Sequence, residues 1–244
     1  MKLRAFDIFA DPSDEAVGRG LCEARSYEPN VSALVGRVLQ PGQTFLDVGA
    51  NIGYYTLLAA TIVGPAGSVI AVEPNPGNCA LLRDSADANG LNNITLHEAA
   101  AGDLRGALAL SINGSNGAIT IGSDRRGALD VTAIALDDVI DGPVHCMKFD
   151  IEGYEPFALA GLAQTICDSQ PAIITEFHPW WLRRRGIAPG DFLDQLGSFG
   201  YTLSLIEADG SVSPCNSEAL IGHWTALNDD RAHLNLFGTS IFRS

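Results

Sequence analysis

Runs of apolar, β-branched residues alternate with longer segments of helical periodicity along most of the chain. From Thr44 onward, three such runs predict strands: TFLDVG (44–49), SVIAVE (68–73) and ITLHE (94–98). The segments between them predict two helices, one over 54–63 and one that begins at Pro76 behind an Asn75 N-cap. Regular alternation of strand and helix is typical of βαβ units around a parallel sheet, so we predict an α/β fold.

The pattern changes between Gly102 and Asp138, where short alternating runs are interrupted by Asn-Gly pairs at 113–114 and 116–117. Asn-Gly is typical of tight hairpin turns. The segment therefore predicts a β-hairpin that is inserted between the parallel strands.

After this insertion the α/β alternation resumes, with strands predicted at 145–151 and 172–177 and helices at 156–167 and 191–199. We expect the last two apolar runs, 201–206 and 233–242, to pair antiparallel at one edge of the sheet. Residues 1–40 precede the first strand and predict an N-terminal cap region over the carboxyl end of the sheet. Residues 41–244 are then the main domain.

Composition and charge exclude several classes of protein. The chain has 244 residues, of which 46% are hydrophobic, enough for one large core without disulfides or a structural metal. Its 15 basic and 29 acidic residues give a net charge of −14, which repels phosphate backbones and anionic lipid. We therefore expect no nucleic-acid and no membrane partner. The start of the chain lacks the apolar core of a secretory signal, which predicts a cytoplasmic location.

A glycine loop joins the first predicted strand to its helix. Asp47, Gly49, Ala50, Asn51 and Gly53 form this loop. The glycines allow a tight turn and close approach of the backbone to a ligand, and the N-terminus of the helix behind them offers free N–H groups. Glu73 ends the next strand, where its carboxylate can accept hydrogen bonds from two ribose hydroxyls. The pattern predicts a nucleoside-binding crevice, against the alternative of an ordinary turn with structural glycines.

The spacing of the glycines distinguishes between nucleoside cofactors. A dinucleotide site uses G-x-G-x-x-G, but this register places Gly49, Asn51 and Tyr54 at the three glycine positions. NAD therefore fits poorly. An acid two residues before the first glycine can instead receive an ammonium group, which S-adenosylmethionine carries.

Polar residues occupy one face of the predicted strand at 145–151, where a central strand is normally apolar. Lys148 and Asp150 share that face, and Glu152 follows in the loop. Burying such groups without partners costs several kcal/mol. They therefore either pair with each other or stand at the open carboxyl end of the strand, facing a site.

The next strand ends in the same way, with Glu176 and His178 on one side. His178 is a candidate acceptor for a proton from a substrate hydroxyl. Alternatively, Asp150, Glu176 and His178 are candidate ligands of a divalent metal such as Mg²⁺. The remaining histidines, His233 among them, are expected to be structural. The run of tryptophans and arginines at 180–185 borders a substrate cleft or begins a solvated helix.

Taken together, these motifs resemble the FkbM-type methyltransferases, a branch of the class I enzymes that use S-adenosylmethionine. The resemblance rests on the segments YEPN, FLDVGANIGYYTLLAA, VIAVEPNP, NITLHEAAAGD, VTAIALDDVI, MKFDIEGYE and IITEFHP, in that order. It implies a Rossmann-like sheet of seven mostly parallel strands with an antiparallel last strand. It also implies O-methylation of a hydroxyl, or in some members a carboxylate, on a sugar or natural-product acceptor.

The resemblance also implies roles for individual residues. The cofactor-binding residues would be Glu28, Asp47, Gly49, Ala50, Asn51, Gly53, Glu73, Pro74, Asn75 and Ala100. The catalytic residues would be Lys148, Asp150, Glu152, Glu176 and His178. Our hypothesis is that Asp150 and His178 lie closest to the acceptor oxygen, with Glu176 orienting the histidine or sharing a cation.

Two other classes of function stay open, as does assembly into a homodimer. A nicotinamide-dependent oxidoreductase would share the sheet and Glu73, and a non-catalytic nucleoside-binding subunit would keep the crevice without transferring a methyl group. The residues after Pro179 lack the family motifs and are expected to determine substrate choice.

Overall fold

The computed structural model describes residues 1–3, 5–103, 105–120 and 125–242. Its strands are β1 Thr44–Val48, β2 Ser68–Val72, β3 Ile94–His97, β4 Ala100–Gly102, β5 Gly106–Asn113, β6 Asn116–Ile119, β7 Leu129–Ala135, β8 Cys146–Phe149, β9 Ala172–Phe177, β10 Tyr201–Ile206, β11 Val212–Cys215 and β12 Leu234–Ser240. Its α-helices are α1 Gly18–Ala24, α2 Pro29–Val38, α3 Tyr54–Val63, α4 Pro76–Ala88, α5 Glu155–Ala160, α6 Ala163–Ser169, α7 Pro179–Arg184, α8 Pro189–Ser198 and α9 Ser217–Ala226.

The main sheet has eight strands in the order β11-β10-β12-β9-β8-β1-β2-β3. The strands β3, β2, β1, β8 and β9 pair in parallel, and the last strand, β12, runs antiparallel between β9 and β10. This arrangement confirms the predicted α/β fold with its antiparallel last strand. The predicted pairing of the final two runs is also confirmed, but they are not the edge, because the unpredicted strand β11 lies outside β10.

The insertion forms more than the predicted hairpin. The strands β5 and β6 do pair across a turn with Asn113 opposite Asn116. However, β4 and β7 join them in a separate four-stranded sheet of order β4-β7-β5-β6. The first Asn-Gly pair is the turn, whereas the second begins β6, so its prediction as a turn was wrong.

The helix predicted over 156–167 is two helices, α5 and α6, separated at Gly161. A Cβ atom at Gly161 would lie 2.0 Å from the carbonyl oxygen of Gly102 in β4. The backbone at Gly161 therefore packs directly against the backbone of the small sheet. Asp137 caps the start of the second helix, because its carboxylate accepts the backbone N–H groups of Gln164 and Thr165. Close packing on the insertion therefore ends the first helix.

The N-terminal residues pack against helices on one side of the main sheet. Leu3, Ile8 and Leu21 are buried against Leu57 of α3 and Ala86 of α4. Val17, Tyr27 and Glu28 from the same segment reach the cavity described below. The division into a cap region and a main domain at residue 40 stays a prediction. Across the described residues, we find no helix with the length and apolar character needed to span a membrane.

Candidate active site

A cavity of about 300 Å³ lies at the carboxyl ends of β1, β2, β8 and β9. Ligands of open α/β sheets bind outside this end of the strands. The sheet contributes Val48, Val72, Lys148 and Glu176 to the lining, and the loops that follow its strands contribute the glycine loop, Glu73, Asp150, Glu152 and His178. The cavity thus brings together most of the site residues that the sequence predicts.

The glycine loop turns sharply at the end of β1. The N–H groups of Gly49 and Ala50 both donate to the carbonyl oxygen of Val72, at 2.9 and 3.1 Å. Gly49 lies in the left-handed region (φ 83°), and a Cβ atom there would lie 2.1 Å from the carbonyl oxygen of Asp150. Glycine is therefore needed at this position because two loops of the protein touch, in addition to the predicted tight turn.

Glu73 connects the loop after β1 with the loop after β2. Its Oε2 accepts the N–H of Asn51 at 2.8 Å, and its Oε1 accepts the N–H of Asn75 at 2.9 Å and the side-chain amide of Asn78 at 3.3 Å. Burial raises the pKa of Glu73 from 4.5 to about 7 despite these donors. Glu73 lines the cavity together with Pro74, as the ribose assignment requires.

Three predicted cofactor residues lie behind the lining rather than in it: Asp47, Gly53 and Asn75. Asp47 is buried, accepts the Thr56 hydroxyl at 2.6 Å, and has a pKa raised by burial. Gly53 precedes α3 with φ 95° and packs on Leu82, and the Asn75 side chain caps α4 at Gly77. Their direct contact with a cofactor stays a prediction.

The insertion supplies a wall of the cavity that sequence reasoning missed. Ala99, Ala100 and Ala101 line it as expected for the position after β3, but so do Leu110 and the segment 115–117 of the β5–β6 hairpin. The Ser115 carbonyl accepts the side-chain amides of Asn51 at 3.1 Å and Asn78 at 2.7 Å. The sequence of the hairpin predicts only a turn. Its contact with Asn51 and Asn78 depends on where the small sheet packs against the main sheet.

Glu28, from the N-terminal segment, also lines the cavity. Its Oε2 accepts the Tyr55 hydroxyl at 2.8 Å, and its backbone is left-handed (φ 38°) immediately before α2. The Tyr55 ring lies 4.6 Å from the Lys148 ammonium nitrogen. Glu28 is therefore connected to Lys148 of β8 through one aromatic ring.

Lys148 and Asp150 pair with each other and also face the cavity, so both alternatives from the sequence hold. The Lys148 Nζ lies 2.9 Å from Asp150 Oδ2, and the Lys148 side chain is 5% exposed. Burial alone would raise the pKa of Asp150, but Lys148 and the neighbouring histidines bring it below its usual value. Burial likewise would lower the pKa of Lys148, but the carboxylates of Asp150 and Glu28 raise it. Both groups are charged.

Glu176 contacts a different histidine from the one that the sequence predicts. Its Oε1 lies 3.1 Å from Nδ1 of His233, which comes just before β12. His233 was expected to be structural, yet it lines the cavity, with its ring centroid 5.9 Å from that of His178. The expected pairing of Glu176 with His178 is thus not observed. Burial, followed by the charge of His233, lowers the pKa of His178 to about 4.

The remaining acids differ in their placement. Glu152 lines the cavity, and burial followed by the charge of Asp150 raises its pKa to about 7. Glu155 is buried beneath the loop, where its Oε1 accepts the N–H of Ile151. Among the described residues, no three acid, histidine or cysteine side chains are grouped to hold a metal ion, the proposed trio of Asp150, Glu176 and His178 included.

Comparison with known proteins places this site in a family. A family model described as the methyltransferase FkbM domain matches residues 47–203. A protein-L-isoaspartate O-methyltransferase of Aeropyrum pernix is 39% identical over 75 residues, which are 29% of this chain and 28% of that protein. The chain spans between 28% and 47% of the length of the curated relatives that it matches.

Two solved structures have a similar fold. The methyltransferase FkbM of Methylobacillus flagellatus has a TM-score of 0.51 at 18% identity, over 85% of this chain and 50% of that one. A methyltransferase of Streptococcus mutans, solved in complex with SAH, has a TM-score of 0.52 at 9% identity, over 88% and 98% of the two chains. Since the family model covers more than half of the sequence, the protein belongs to the FkbM family of S-adenosylmethionine-dependent methyltransferases.

Proposed function

We propose that this chain transfers a methyl group from S-adenosylmethionine to an oxygen atom of a small-molecule acceptor, a sugar or natural product. The observation that carries the proposal is the meeting of two sets of groups in one cavity. Glu73 and the glycine loop form one set, and Asp150, Glu176 and two histidines form the other. A nucleoside site beside groups that can accept a proton is what such a transfer requires.

The cavity suits the donor in shape and charge. Its volume lies at the lower end of the range of small-molecule sites. The small side chains at 99–101 leave room for a flat base, and Glu73 presents a carboxylate to ribose hydroxyls. The described residues of the cavity lining include the single cation of Lys148 and five acids: Glu28, Glu73, Asp150, Glu152 and Glu176. Such an excess favours a ligand that carries ammonium and sulfonium charges.

The protein has to position the acceptor and remove its proton. When bound, S-adenosylmethionine supplies a methyl carbon already activated by the sulfonium, so that its C–S bond breaks as the new C–O bond forms. The walls of the cavity therefore contribute mainly by aligning the acceptor oxygen with that carbon. The negative charge of Asp150, which Lys148 maintains, faces the same space.

We assign the proton acceptor to His233, supported by Glu176. Burial, followed by the charge of Asp150, raises the pKa of Glu176 well above its usual value, so Glu176 and His233 share a proton between Oε1 and Nδ1, 3.1 Å apart. When that proton is on Nδ1, Nε2 is left to accept the proton of the acceptor hydroxyl. The positive charge that then develops on the imidazole is stabilised by the same carboxylate. His178 is the weaker candidate, because its lowered pKa makes it a poor base.

The experiment that tests this function is transfer of a labelled methyl group. The protein and methyl-labelled S-adenosylmethionine would be incubated with panels of sugars, hydroxylated natural products and carboxylic acids. We expect label in an ether, or in a base-labile ester for a carboxyl acceptor. Label on nitrogen, carbon or sulfur instead would contradict O-methylation. The names of the curated relatives cover protein, arsenite and precorrin acceptors, so the panel has to be broad.

The alternatives lead to different outcomes in the same assay. An oxidoreductase would oxidise or reduce an acceptor with a nicotinamide cofactor and would transfer no label. A non-catalytic subunit would bind the donor without turnover on any acceptor. The cytoplasmic location, a homodimer and any dependence on Mg²⁺ stay predictions.

A further inference from the structure

A second cleft, of about 600 Å³, adjoins the cavity. The two share Asn116, Gly117, Ile119 and Glu152 in their linings. One wall of the cleft is the β5–β6 hairpin of the insertion, and the other comes from Trp181, Arg184 and Arg185, at and just after the end of α7. A molecule that lies in this cleft can therefore reach the groups assigned to methyl transfer.

Arg185 fixes the inner part of the cleft. Its Nε and Nη2 donate to the carbonyl oxygen of Glu152 at 3.0 and 2.7 Å, and its Nη1 donates to that of Ile119 at 2.9 Å. Its guanidinium carbon also lies 5.2 Å from the Tyr154 ring centroid and 5.7 Å from that of Trp181. These contacts join the two walls of the cleft, and the acids Glu152 and Glu155 lie close enough to offset part of the Arg185 charge.

Arg184 provides an exposed cation in the same cleft. Its guanidinium lies 4.8 Å from the Trp180 ring centroid, and that of Arg231 lies 5.2 Å from the same centroid. Among the described residues, no carboxylate forms an ion pair with Arg184. Two guanidinium groups on one indole concentrate positive charge in a chain whose net charge is −14.

The charges along the two connected spaces have opposite signs. Acids dominate the inner cavity, whereas Arg184 and Arg185 line the outer cleft, with Glu152 at the junction of the two. An anionic group would be repelled from the inner cavity and attracted by Arg184, whose planar fork matches carboxylate and phosphate oxygens. The Trp181 ring beside it can pack against an apolar or sugar face.

We infer that the second cleft binds the methyl acceptor, and that this acceptor carries a phosphate or carboxylate group which Arg184 holds while its hydroxyl enters the cavity. The inference rests on the proposed function, because the molecule bound in the cleft is a methyl acceptor only if the protein transfers a methyl group. Anion binding in the cleft can nevertheless be measured without turnover. The inference gives Arg184 a role in substrate specificity.

The test uses the full chain labelled with 5-fluorotryptophan and observed by ¹⁹F NMR. Trp181 lines the cleft, and Trp180 reports on it through the Arg184 guanidinium 4.8 Å from its ring centroid. Trp224 is 7% exposed and serves as an internal reference. We expect inorganic phosphate to shift the Trp180 and Trp181 signals saturably, and chloride at equal ionic strength to leave them unchanged. In Arg184→Gln the phosphate affinity should fall about tenfold or more, whereas Arg83→Gln, on the exposed side of α4, should match the parent protein.

Glucose 6-phosphate, glucuronate and glucose then distinguish the source of the anion. Tighter binding of the first over the second indicates a phosphate group, the reverse order indicates a carboxylate, and either result supports the inference. Absence of a saturable phosphate shift, or an equal shift in Arg184→Gln, would overturn it. Calorimetric titration of the same samples with S-adenosylhomocysteine separates the two claims, because loss of the anion site leaves donor binding intact.

Discussion

At the scale of single residues, Glu73 is distinguished by the three hydrogen bonds that its side chain accepts. Its two oxygens accept hydrogen bonds from Asn51 in the glycine loop and from Asn75 and Asn78 at the start of α4. A carboxylate in this setting both positions the two loops and presents lone pairs to a ligand. Its removal should therefore affect donor binding before it affects the fold.

The first prediction concerns this carboxylate. Glu73→Gln replaces one acceptor oxygen with an NH₂ group that faces N–H donors, so we expect the affinity for S-adenosylhomocysteine to fall about tenfold or more. Glu98→Gln is the matched control, because Glu98 lies just after β3 in an exposed ion pair with Arg83. Calorimetry measures both. Equal affinities in the two variants would remove Glu73 from the donor site.

The second prediction concerns the proton acceptor. His233→Asn should reduce turnover about a hundredfold or more while the affinity for S-adenosylhomocysteine changes less than about twofold. Glu176→Gln should lower turnover and shift the pH profile, since it removes the titratable carboxyl group 3.1 Å from Nδ1 of His233. His223→Asn, on the exposed face of α9, is the control. Full turnover in His233→Asn would transfer the role to His178.

The sequence could place Glu73 at the cavity but not His233, for a physical reason. An acid at the end of the second strand of a βαβ unit occupies a defined place relative to the ligand crevice. His233, in contrast, comes within reach of Glu176 because β12 inserts beside β9, with Leu234 opposite Phe177. That register follows from long-range pairing and has no local signal.

At the scale of elements, the site depends on close contacts between loops. The loop after β1 meets the loop after β8 at Gly49, and the hairpin of the insertion meets the glycine loop through Ser115. Both contacts connect elements distant in the chain. The cavity shape is therefore a property of how the two sheets pack, more than of any one loop.

The third prediction tests the first of these contacts. Gly49→Ala would place a methyl group 2.1 Å from the Asp150 carbonyl oxygen, at a position that also has a positive φ. Gly90→Ala is the matched control, since Gly90 has φ 64° and no atom within 4 Å of its added Cβ. We expect Gly90→Ala to cost about 1 kcal/mol, from backbone strain alone, and Gly49→Ala several kcal/mol more. Denaturant unfolding gives both values, and equal losses would contradict the assigned loop contact.

The elements that sequence could predict are those with strong local signals. The helix α3 and the strand β9 have the predicted bounds, since each is a continuous apolar run with clear end signals. The strand β11 was missed because VSPC is short, polar and contains a proline, as edge strands tolerate. The break at Gly161 was missed because its cause, contact with β4, lies elsewhere in the chain.

At the scale of the whole molecule, the protein buries several acids around one site and has a net charge of −14. Burial raises the pKa values of Glu73, Glu152 and Glu155 from 4.5 to about 7. A group with a raised pKa contributes stability that is fully present below its unfolded value and is lost as the pH rises through its folded value. Burial also raises the pKa values of Asp47 and Glu176. His97 and His178, whose pKa values burial lowers, act in the opposite direction but are two groups against five.

The fourth prediction follows from this balance. The free energy of unfolding should fall as the pH rises from about 5 to about 7.5. Glu155→Gln keeps the acceptor oxygen for Ile151 but removes the ionisation, so the decrease should be smaller by on the order of 2 kcal/mol. Glu23→Gln, an exposed change in α1, should leave the slope as it is. Denaturant titrations across this range measure the slope, and an unchanged slope in Glu155→Gln would refute the assignment.

The central claim is that the cavity at the strand ends binds the nucleoside of S-adenosylmethionine. The most direct measurement is calorimetric titration of the purified protein with S-adenosylhomocysteine, with NADH as the comparison and with and without Mg²⁺. We predict saturable binding of S-adenosylhomocysteine at one site and no binding of NADH. Failure to bind S-adenosylhomocysteine, or a preference for NADH, would contradict the account of the glycine loop and Glu73.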